Sequence, residues 1–264
     1  MTGPLIFTPE YYARMRALEN DGWWSAAMRD VAALLLAQLA LPRDGRLLDI
    51  GCGSGQTMAW FRTLFPGWQT FGLDIAFDGL RAARTLGETQ VLAASAMDLP
   101  VPTGSVDAVI SLDVLQHLPL RGGDELALRE IRRVLRPGGA VLLRTNAQSI
   151  PYAADDEAFA FHKYETDEMR AKLQSAGLIP VRIGRVNALL GLAEIRRELR
   201  ARRHTHGHYV GLLATPSNRQ SMGWKLKRRW LRMEGAAVAH GWSLPLGRTI
   251  FALAQTPSEQ DGAA

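Results

Sequence analysis

Cysteine is almost absent from this sequence, since Cys52 is the single one among 264 residues. One cysteine cannot form an internal disulfide, and it excludes a metal site built from several thiolates. Long apolar runs are missing as well: no stretch approaches the roughly 20 apolar residues of a membrane-spanning helix, and the N-terminus shows no signal-peptide pattern. We therefore expect a cytoplasmic protein from a reducing compartment.

Acidic residues are scarce between Arg182 and Arg232, where Glu194 and Glu198 stand against a large excess of lysine and arginine. The whole chain carries a net charge of +5. A basic region of this kind suits an anionic acceptor, the surface of a membrane in peripheral contact, or nucleic acid, for which the residues offer no firm evidence. The alternative is a solvated surface of amphipathic helices.

Apolar segments and helical patterns alternate from residue 46 onward, which predicts a parallel sheet with crossover helices. We expect a single α/β domain over 1–256, with a helical cap over 1–41, a helical basic insertion over 187–246 and a disordered tail over 257–264. The predicted strands are 46–50, 69–74, 90–94, 106–112, 139–145, 179–186 and 249–254. The predicted helices after the cap are 56–65, 77–86, 123–135 and 166–176, the last with Thr166 as its N-cap. Within the cap, two helices are predicted, the first with an apolar stripe of Tyr11, Tyr12, Met15 and Leu18.

The run LLDIGCGSG is an apolar strand that leads into glycines at alternate positions, Gly51, Gly53 and Gly55. In α/β sheets, glycines at this place let the backbone approach a nucleotide-like ligand. The spacing differs from the G-x-G-x-x-G turn of dinucleotide-binding enzymes, because the third glycine comes one residue early. Asp49, just before the glycines, disfavours a pyrophosphate and favours a cationic ligand.

Two further segments point to a nucleoside. Asp74 ends the second strand, where a carboxylate can accept both ribose hydroxyls, as it also does in NAD enzymes. In ASAMDLP, Asp98 is able to accept a hydrogen bond from an adenine amino group beside the apolar Met97 and Leu99.

Together these motifs resemble those of class I S-adenosylmethionine-dependent methyltransferases, over roughly residues 46–146. The match also includes VDAVISLDVLQHL as the fourth strand and LRPGGAVLL as the fifth. The resemblance implies a doubly wound, seven-stranded, mostly parallel Rossmann-like sheet whose last strand is antiparallel, with S-adenosylmethionine as the cofactor and no metal in the reaction. It places the following residues around that cofactor: Asp49, Gly51, Gly53 and Gly55 at the methionine part, Asp74 and Ile75 at the ribose, Ala96, Met97 and Asp98 at the adenine, and Leu112 near the sulfonium.

The flanking segments are similar to a bacterial branch of these enzymes that serves cell-surface glycan and natural-product pathways. The similarity lies in YYARMRALENDGWW, in DDEAFAFHKYETDEMRAKLQSAGL and in SLPLGRTIFALAQ. The chain departs from that branch twice, with Gly22 in place of a histidine and Lys163 in place of an arginine pair. The resemblance to the branch implies a small-molecule or glycan acceptor.

A hydroxyl acceptor needs a group that takes its proton, since a neutral alcohol is a poor nucleophile. His162, after the fifth strand, is the first candidate base, with Tyr164, Asp156 or Glu157 available to orient it or bind the acceptor. His117, after the fourth strand, is the second candidate. Trp24, with its neighbour Trp23, is a candidate for closing over the methionine end of the cofactor. The alternatives are a helix-capping or packing role for the histidines and ordinary helix core for the tryptophans.

Other functions remain open from the sequence. A nitrogen or carbon acceptor would not require His162 as a base, and a binding protein without activity would keep the same nucleoside pocket. A nucleic-acid methyltransferase of the amino-methylating type would carry an aromatic Pro-Pro motif after the fourth strand, where this chain reads Leu-Asp-Val-Leu. The alternate histidines His204, His206 and His208 suggest a metal site, but the sequence nearby offers no carboxylate to support one.

Overall fold

The computed structural model describes Glu19, residues 22–148, residues 162–188, Leu192 and residues 221–258. Within these residues the chain forms one seven-stranded sheet. Its strands are β1 (Arg46–Ile50), β2 (Gln69–Asp74), β3 (Val91–Ala93), β4 (Val106–Leu112), β5 (Leu135–Asn146), β6 (Ile179–Val186) and β7 (Thr249–Gln255).

The strands follow the order β3-β2-β1-β4-β5-β7-β6. Strands β1 to β6 share one direction, and β7 lies antiparallel between β5 and β6. The chain order reverses beside β1, with β2 on one side and β4 on the other. The carboxyl ends of the strands at such a reversal form the crevice in which doubly wound sheets bind ligands. The predicted fold class is confirmed.

Helices cover both faces of this sheet. Those in the described part of the chain are α1 (Trp23–Leu36), α2 (Gln56–Leu64), α3 (Phe77–Thr85), α4 (Gly123–Val134), α5 (Thr166–Ser175) and α6 (Met222–Ala239). Helices α4 and α5 pack against one face of the sheet, and α1 and α6 pack against the other. Alternation along β4 serves both layers: Val109 joins the core under α4, whereas Ala108 and Ile110 join the core under α1.

Helix α4 illustrates why these segments are helical. Its apolar residues recur every three or four positions and are buried, and they are Ala127, Leu128, Ile131 and Val134. Asp124 and Glu125 occupy its first turn, and Arg132 and Arg133 its last, so that the charges oppose the helix dipole at both ends.

Several predicted bounds are one residue off, among them both ends of β3, and two predictions at element ends are wrong for a physical reason. Strand β5 begins at Leu135 and not at 139, because Leu135 pairs with Val106 across a register shift even though a proline and two glycines follow it. The N-cap of α5 is Glu165 and not Thr166. The Glu165 side chain accepts from the backbone of Glu168, and the Glu168 side chain accepts from the backbone N–H of Glu165, which forms a capping box.

Several predicted features lie outside the described residues. They are the first helix of the cap, Asp156 and Glu157, the three alternate histidines, and most of the basic insertion, of which α6 is the described part. None of the helices in the described part of the chain is both long enough and apolar enough to cross a membrane.

Helices α1 and α6 meet at a glycine. A Cβ atom built on Gly235 would lie 2.6 Å from a methyl carbon of Val31, which is itself fully buried in α1. The guanidinium of Arg228 adds a two-pronged ion pair with Asp30, with N–O distances of 2.6 and 2.8 Å. The absence of a side chain at Gly235 therefore sets how closely the two helices approach.

We expect Gly235→Ala to lower the free energy of unfolding by about 1–3 kcal/mol, because the added methyl group overfills this contact. Chemical denaturation of the ligand-free protein measures the change. Gly223→Ala is the matched control in the same helix, since no atom lies within 4 Å of a Cβ built there. Its stability should stay the same or rise slightly, as alanine favours a helix over glycine. Equal losses in both variants would contradict the packing argument.

Candidate cofactor and acceptor site

The glycine turn after β1 has a backbone that other residues do not readily adopt. Gly51, Gly53 and Gly55 all have positive φ angles, of 75°, 49° and 80°. A Cβ on Gly51 would also lie 2.2 Å from a methyl carbon of Val114, in the turn that follows β4. The glycines thus let the turn pack against its neighbour, and Gly51 and Gly53 stay partly exposed at the carboxyl edge of the sheet.

Asp49 lies under this turn as a buried carboxylate with an unsatisfied oxygen. Its side chain is 2% exposed, and among the described residues its Oδ2 atom has no hydrogen-bond partner. Burial raises its pKa well above the usual range for aspartate, and the nearby charges of Asp74, Glu19 and Glu88 raise it further. A carboxylate in this position favours a ligand that brings a positive charge or several hydrogen-bond donors.

Asp74 ties the end of β2 to the glycine turn. Its Oδ2 accepts from the backbone N–H of Gly53 at 2.8 Å, and its Oδ1 accepts from the backbone N–H of Ala76 at 2.8 Å. Burial raises its pKa, and these two backbone donors oppose the shift. Each carboxylate oxygen keeps a lone pair for a further donor, such as a ribose hydroxyl. Ile75, the next residue, is exposed beside it.

Glu19 is a site residue that the sequence analysis missed. Its Oε2 accepts a hydrogen bond from the hydroxyl of Ser54, inside the glycine turn, at 3.0 Å. Burial raises the pKa of Glu19, and the hydrogen bond from Ser54 and the charge of Arg144 oppose that shift. The N-terminal region therefore adds a third carboxylate to those of Asp49 and Asp74. No local pattern predicts this contact, because it joins residues 35 positions apart.

The segment ASAMDLP forms a tight turn at the end of β3, with Ser95 and Asp98 paired across it. Ala96 and Met97 are half-buried, and Asp98 is exposed. Helix α4 holds the turn in place. The guanidinium of Arg133 donates to the carbonyls of Leu99 and Val101, and a carboxylate oxygen of Glu130 accepts from the backbone N–H of Leu99. A turn held in this way can present Ala96, Met97 and Asp98 to the adenine ring of the predicted cofactor.

The end of β4 carries an ion pair that the sequence analysis also missed. After the half-buried Leu112 comes Asp113, with a positive φ of 61°, whose carboxylate accepts twice from the guanidinium of Arg144 on β5. That guanidinium lies 4.9 Å from the ring centroid of Trp24. The cation in contact with the Trp24 ring is thus Arg144. Trp24 lies at the carboxyl edge of the sheet, beside Leu112, where the sulfonium of the cofactor is predicted.

His162 is held among carboxylates. Its Nε2 lies 3.2 Å from Oε1 of Glu168, its Nδ1 lies 3.9 Å from Oδ2 of Asp124, and its ring stacks on that of Tyr164 at 4.1 Å. Its backbone N–H donates to the carbonyl of Gln116, which brings the segment after β5 to the turn after β4. With both ring nitrogens facing acids, this placement favours a positioning role.

Tyr164 is completely buried, and its hydroxyl donates to Asp124 Oδ2 at 3.1 Å. Burial first, and the charge of Asp124 second, raise the pKa of Tyr164. Lys172 contacts the same carboxylate oxygen at 3.0 Å. A buried phenol in such a network suits the orientation of His162 better than contact with an acceptor.

His117 ends the 3-10 turn Leu115–His117, five residues beyond Leu112. Part of its surface is exposed at the carboxyl edge. Loss of hydration lowers its pKa, and the charge of Asp113 opposes that shift. The net effect favours the neutral imidazole, which is the form that accepts a proton.

The residues present fit the predicted cofactor. Asp49 and Glu19 supply negative charge for an ammonium group, Asp74 supplies acceptors for a ribose, and the turn over 94–100 supplies a surface for a base. In the described ranges, no group of three or more His, Cys, Asp or Glu side chains is arranged to hold a metal ion.

Comparison with known proteins agrees with this arrangement. The family described as a methyltransferase domain matches residues 48–143, which span β1 to β5 and therefore the glycine turn, Asp74 and the 94–100 turn. The malonyl-[acyl-carrier protein] O-methyltransferase of Pseudescherichia vulneris is 30% identical over 237 residues, covering 84% of this chain and 89% of that protein. The 27-O-demethylrifamycin SV methyltransferase of Amycolatopsis mediterranei is 33% identical over 185 residues, covering 61% of this chain and 66% of that one.

Among solved structures, the chain is similar to phosphoethanolamine N-methyltransferase 2 of Haemonchus contortus in complex with S-adenosyl-L-methionine. The TM-score is 0.63 at 19% identity, covering 95% of this chain and 58% of that chain. At this identity the likeness concerns the fold.

We expect Asp49→Asn to weaken binding of S-adenosylmethionine about ten- to a hundredfold, the range for losing a hydrogen bond to a charged group. Isothermal calorimetry measures the dissociation constant. In the unaltered protein this constant should rise as the pH falls through the raised pKa of Asp49, because the protonated carboxyl no longer attracts a cation. The variant should show a weaker pH dependence, which comes from Asp74 and Glu19, because burial also raises the pKa of these two acids.

The thermal midpoint of the ligand-free Asp49→Asn protein should stay the same or rise. An acid whose pKa is raised by folding costs stability wherever it is ionised, and the amide removes that cost. Asp44→Asn, an exposed acid before β1, is the matched control and should leave binding unchanged. Unaltered affinity in the Asp49 variant would refute the assignment of this pocket.

Proposed function

This chain belongs to the class I S-adenosylmethionine-dependent methyltransferases, and from that premise we propose that it methylates a hydroxyl group of a glycan or small-molecule acceptor. The observation that carries the methyl-transfer part of the proposal is the buried carboxylate of Asp49, which lies beneath three glycines and favours a cationic nucleoside. The malonyl-[acyl-carrier protein] O-methyltransferase and the 27-O-demethylrifamycin SV methyltransferase described above support an oxygen acceptor.

The cofactor supplies a methyl group on a positively charged sulfur, which makes the methyl carbon an electrophile without further activation. The chain's part is therefore to align the acceptor with that carbon and to exclude water. Asp49 and Glu19 attract the charged end of the cofactor, Asp74 fixes its sugar, and the ion pair of Asp113 with Arg144 shapes the edge where the methyl group would be presented.

The hydroxyl proton must leave as the new carbon–oxygen bond forms. We assign its acceptance to His117, which is exposed at the carboxyl edge and whose lowered pKa favours the neutral ring. His162 takes a positioning role in this proposal, because Glu168 and Asp124 face its ring nitrogens. Through its backbone bond to Gln116, His162 anchors the turn that carries His117.

A nitrogen or carbon acceptor in a small natural product is the second candidate function. A relative of this chain supports a carbon acceptor: the ubiquinone/menaquinone biosynthesis C-methyltransferase of Syntrophotalea carbinolica is 32% identical over 152 residues, covering 54% of this chain and 60% of that protein. An amine that is neutral at the working pH attacks without a protein base, so neither histidine would be required. A binding protein without turnover is the third candidate, and it would hold the cofactor but transfer nothing.

The test is incubation of the purified chain and S-adenosylmethionine with candidate acceptors from glycan and natural-product pathways, followed by mass spectrometry. We expect an acceptor to gain one methyl group, and fragmentation should place that group on oxygen. A methyl group on nitrogen or carbon would overturn the hydroxyl proposal. Cofactor binding with no turnover on the whole panel would support the binding protein.

Once an acceptor is found, we expect His117→Asn to lower kcat by about a hundred- to ten-thousandfold, the usual contribution of a general base. The affinity for S-adenosylmethionine should stay within a factor of about two, because the ring does not hold the cofactor in this scheme. Steady-state kinetics and calorimetry measure the two quantities.

His162→Asn should raise KM for the acceptor more than it lowers kcat, as expected for a positioning residue. His240→Asn is the control, since this exposed histidine follows α6 at the opposite end of the molecule. If the His117 variant keeps full activity and the His162 variant loses its kcat, the assignment of the two histidines is reversed.

A further inference from the structure

The part of α6 that precedes Glu234, Met222–Met233, projects beyond the carboxyl edge of the sheet. The helix runs antiparallel to β6: the carbonyl of Ala239 accepts from Arg182 near the start of that strand, and Glu234 accepts from the backbone N–H of Asn187 just after its end. With a rise of about 1.5 Å per residue, Met222 lies about 18 Å beyond Glu234 along the helix axis. Residues 222–233 of α6 therefore lie at the same edge of the sheet as the glycine turn.

Large apolar side chains are exposed along this part of α6. Met222, Leu226, Trp230 and Met233 recur at helical spacing, and their exposed fractions are 80%, 65%, 43% and 58%. At about 100° per residue they form one stripe on the side opposite the buried Leu231 and Gly235, which face α1. A continuous apolar stripe on a soluble surface marks a site of interaction.

Cations border the stripe. Lys225, Arg229 and Arg232 follow one flank of it, and all three are exposed. Lys227 lies on the other flank, with its ammonium 5.4 Å from the ring centroid of Trp23. The single acid in α6 is Glu234, which is buried and accepts hydrogen bonds from two backbone N–H groups and from the indole of Trp230. The exposed face of this part of α6 is thus apolar and positively charged.

We propose that Met222–Met233 is a docking surface for an anionic phospholipid membrane, with the apolar stripe inserted at the level of the headgroups and the flanking cations on the lipid phosphates. An amphipathic helix with cations beside its apolar face binds a membrane in this way. Such docking turns the carboxyl edge of the sheet toward the bilayer, so that an acceptor held at the membrane surface would meet the site directly.

Three other occupants of this surface are a second copy of the chain, a segment of the chain itself, and nucleic acid. In a symmetric contact between two copies of the chain, each copy would bring its own Lys225, Arg229 and Arg232 toward those of the other. The chain's own residues 189–220 carry six arginines and two glutamates, so they supply no complementary charge. Residues 149–161 do carry three acids, and if they cover the stripe the chain will not bind anionic vesicles, which would overturn the proposal. Nucleic acid would pair with the cations but would leave the methionines and Leu226 without a favourable contact.

Co-sedimentation of the full chain with vesicles tests the proposal, without cofactor or acceptor, so that the result is independent of the proposed reaction. We expect binding to vesicles of phosphatidylcholine with phosphatidylglycerol and little binding to phosphatidylcholine alone. Combining Lys225→Gln, Arg229→Gln and Arg232→Gln should lower the affinity about a hundredfold, since each cation near such a surface contributes about fivefold. Combining Leu226→Glu with Met233→Glu should abolish binding even at low salt.

Leu126→Glu is the matched control, because Leu126 is similarly exposed, at 46%, but lies in α4 on the opposite face of the sheet. It should bind vesicles as the unaltered chain does, and circular dichroism and thermal midpoints should show all variants folded. Equal binding to both kinds of vesicle, or full binding by the Leu226/Met233 variant, would overturn the proposal. So would a dimer in sedimentation velocity that this variant dissociates, because the stripe would then belong to a second copy.

Discussion

The burial of three carboxylates around one turn is the constraint from which the site follows. Asp49, Asp74 and Glu19 converge around one glycine turn, and burial raises the pKa of each of them. Charges of one sign brought together out of water are costly unless a group of the opposite sign joins them. The ligand-free site is therefore held in an unfavourable electrostatic state, which a cationic cofactor relieves. The arrangement thus favours a nucleoside that carries an ammonium group over one that does not.

Donors in the glycine turn and just after β2 hold two of these acids in place. The backbone N–H groups of Gly53 and Ala76 fix the carboxylate of Asp74, and Ser54 fixes that of Glu19. Arg133 does the same for the turn after β3, from a helix on one face of the sheet. These donors are mostly backbone groups or long side chains anchored in helices. The site thus depends both on its own turns, which hold the acids, and on helix α4, which holds the turn after β3.

The sequence predicts much of the fold because its apolar periodicity is strong. The bounds of β1, β2, β4 and β6 agree with the predicted ones residue for residue. The predicted start of β5 is wrong because strand pairing between residues far apart in the chain outweighs the local residues that disfavour a strand. Leu135 enters β5 through its pairing with Val106, despite the breaking residues Pro137 and Gly138 that follow it.

The same distinction holds for the site. The glycines, Asp49 and Asp74 can be identified from sequence because one short motif or one strand end positions each of them. Glu19 and Arg144 cannot, because their partners lie far along the chain and only the folded sheet brings them together. The division of roles between His117 and His162 also depends on distant neighbours, because Asp124 and Glu168 face the ring of His162.

Strand β7 lies inside the sheet, with β6 reached through it alone, and it is buried along almost its whole length. On the ribosome, which releases a chain from its first residue onward, β5 and β6 must therefore wait as open edges until residues 249–255 emerge. Open strand edges are prone to pairing with other chains. Biogenesis of this protein thus includes an interval, before β7 has left the ribosome, in which two strand edges are open to pairing with other chains.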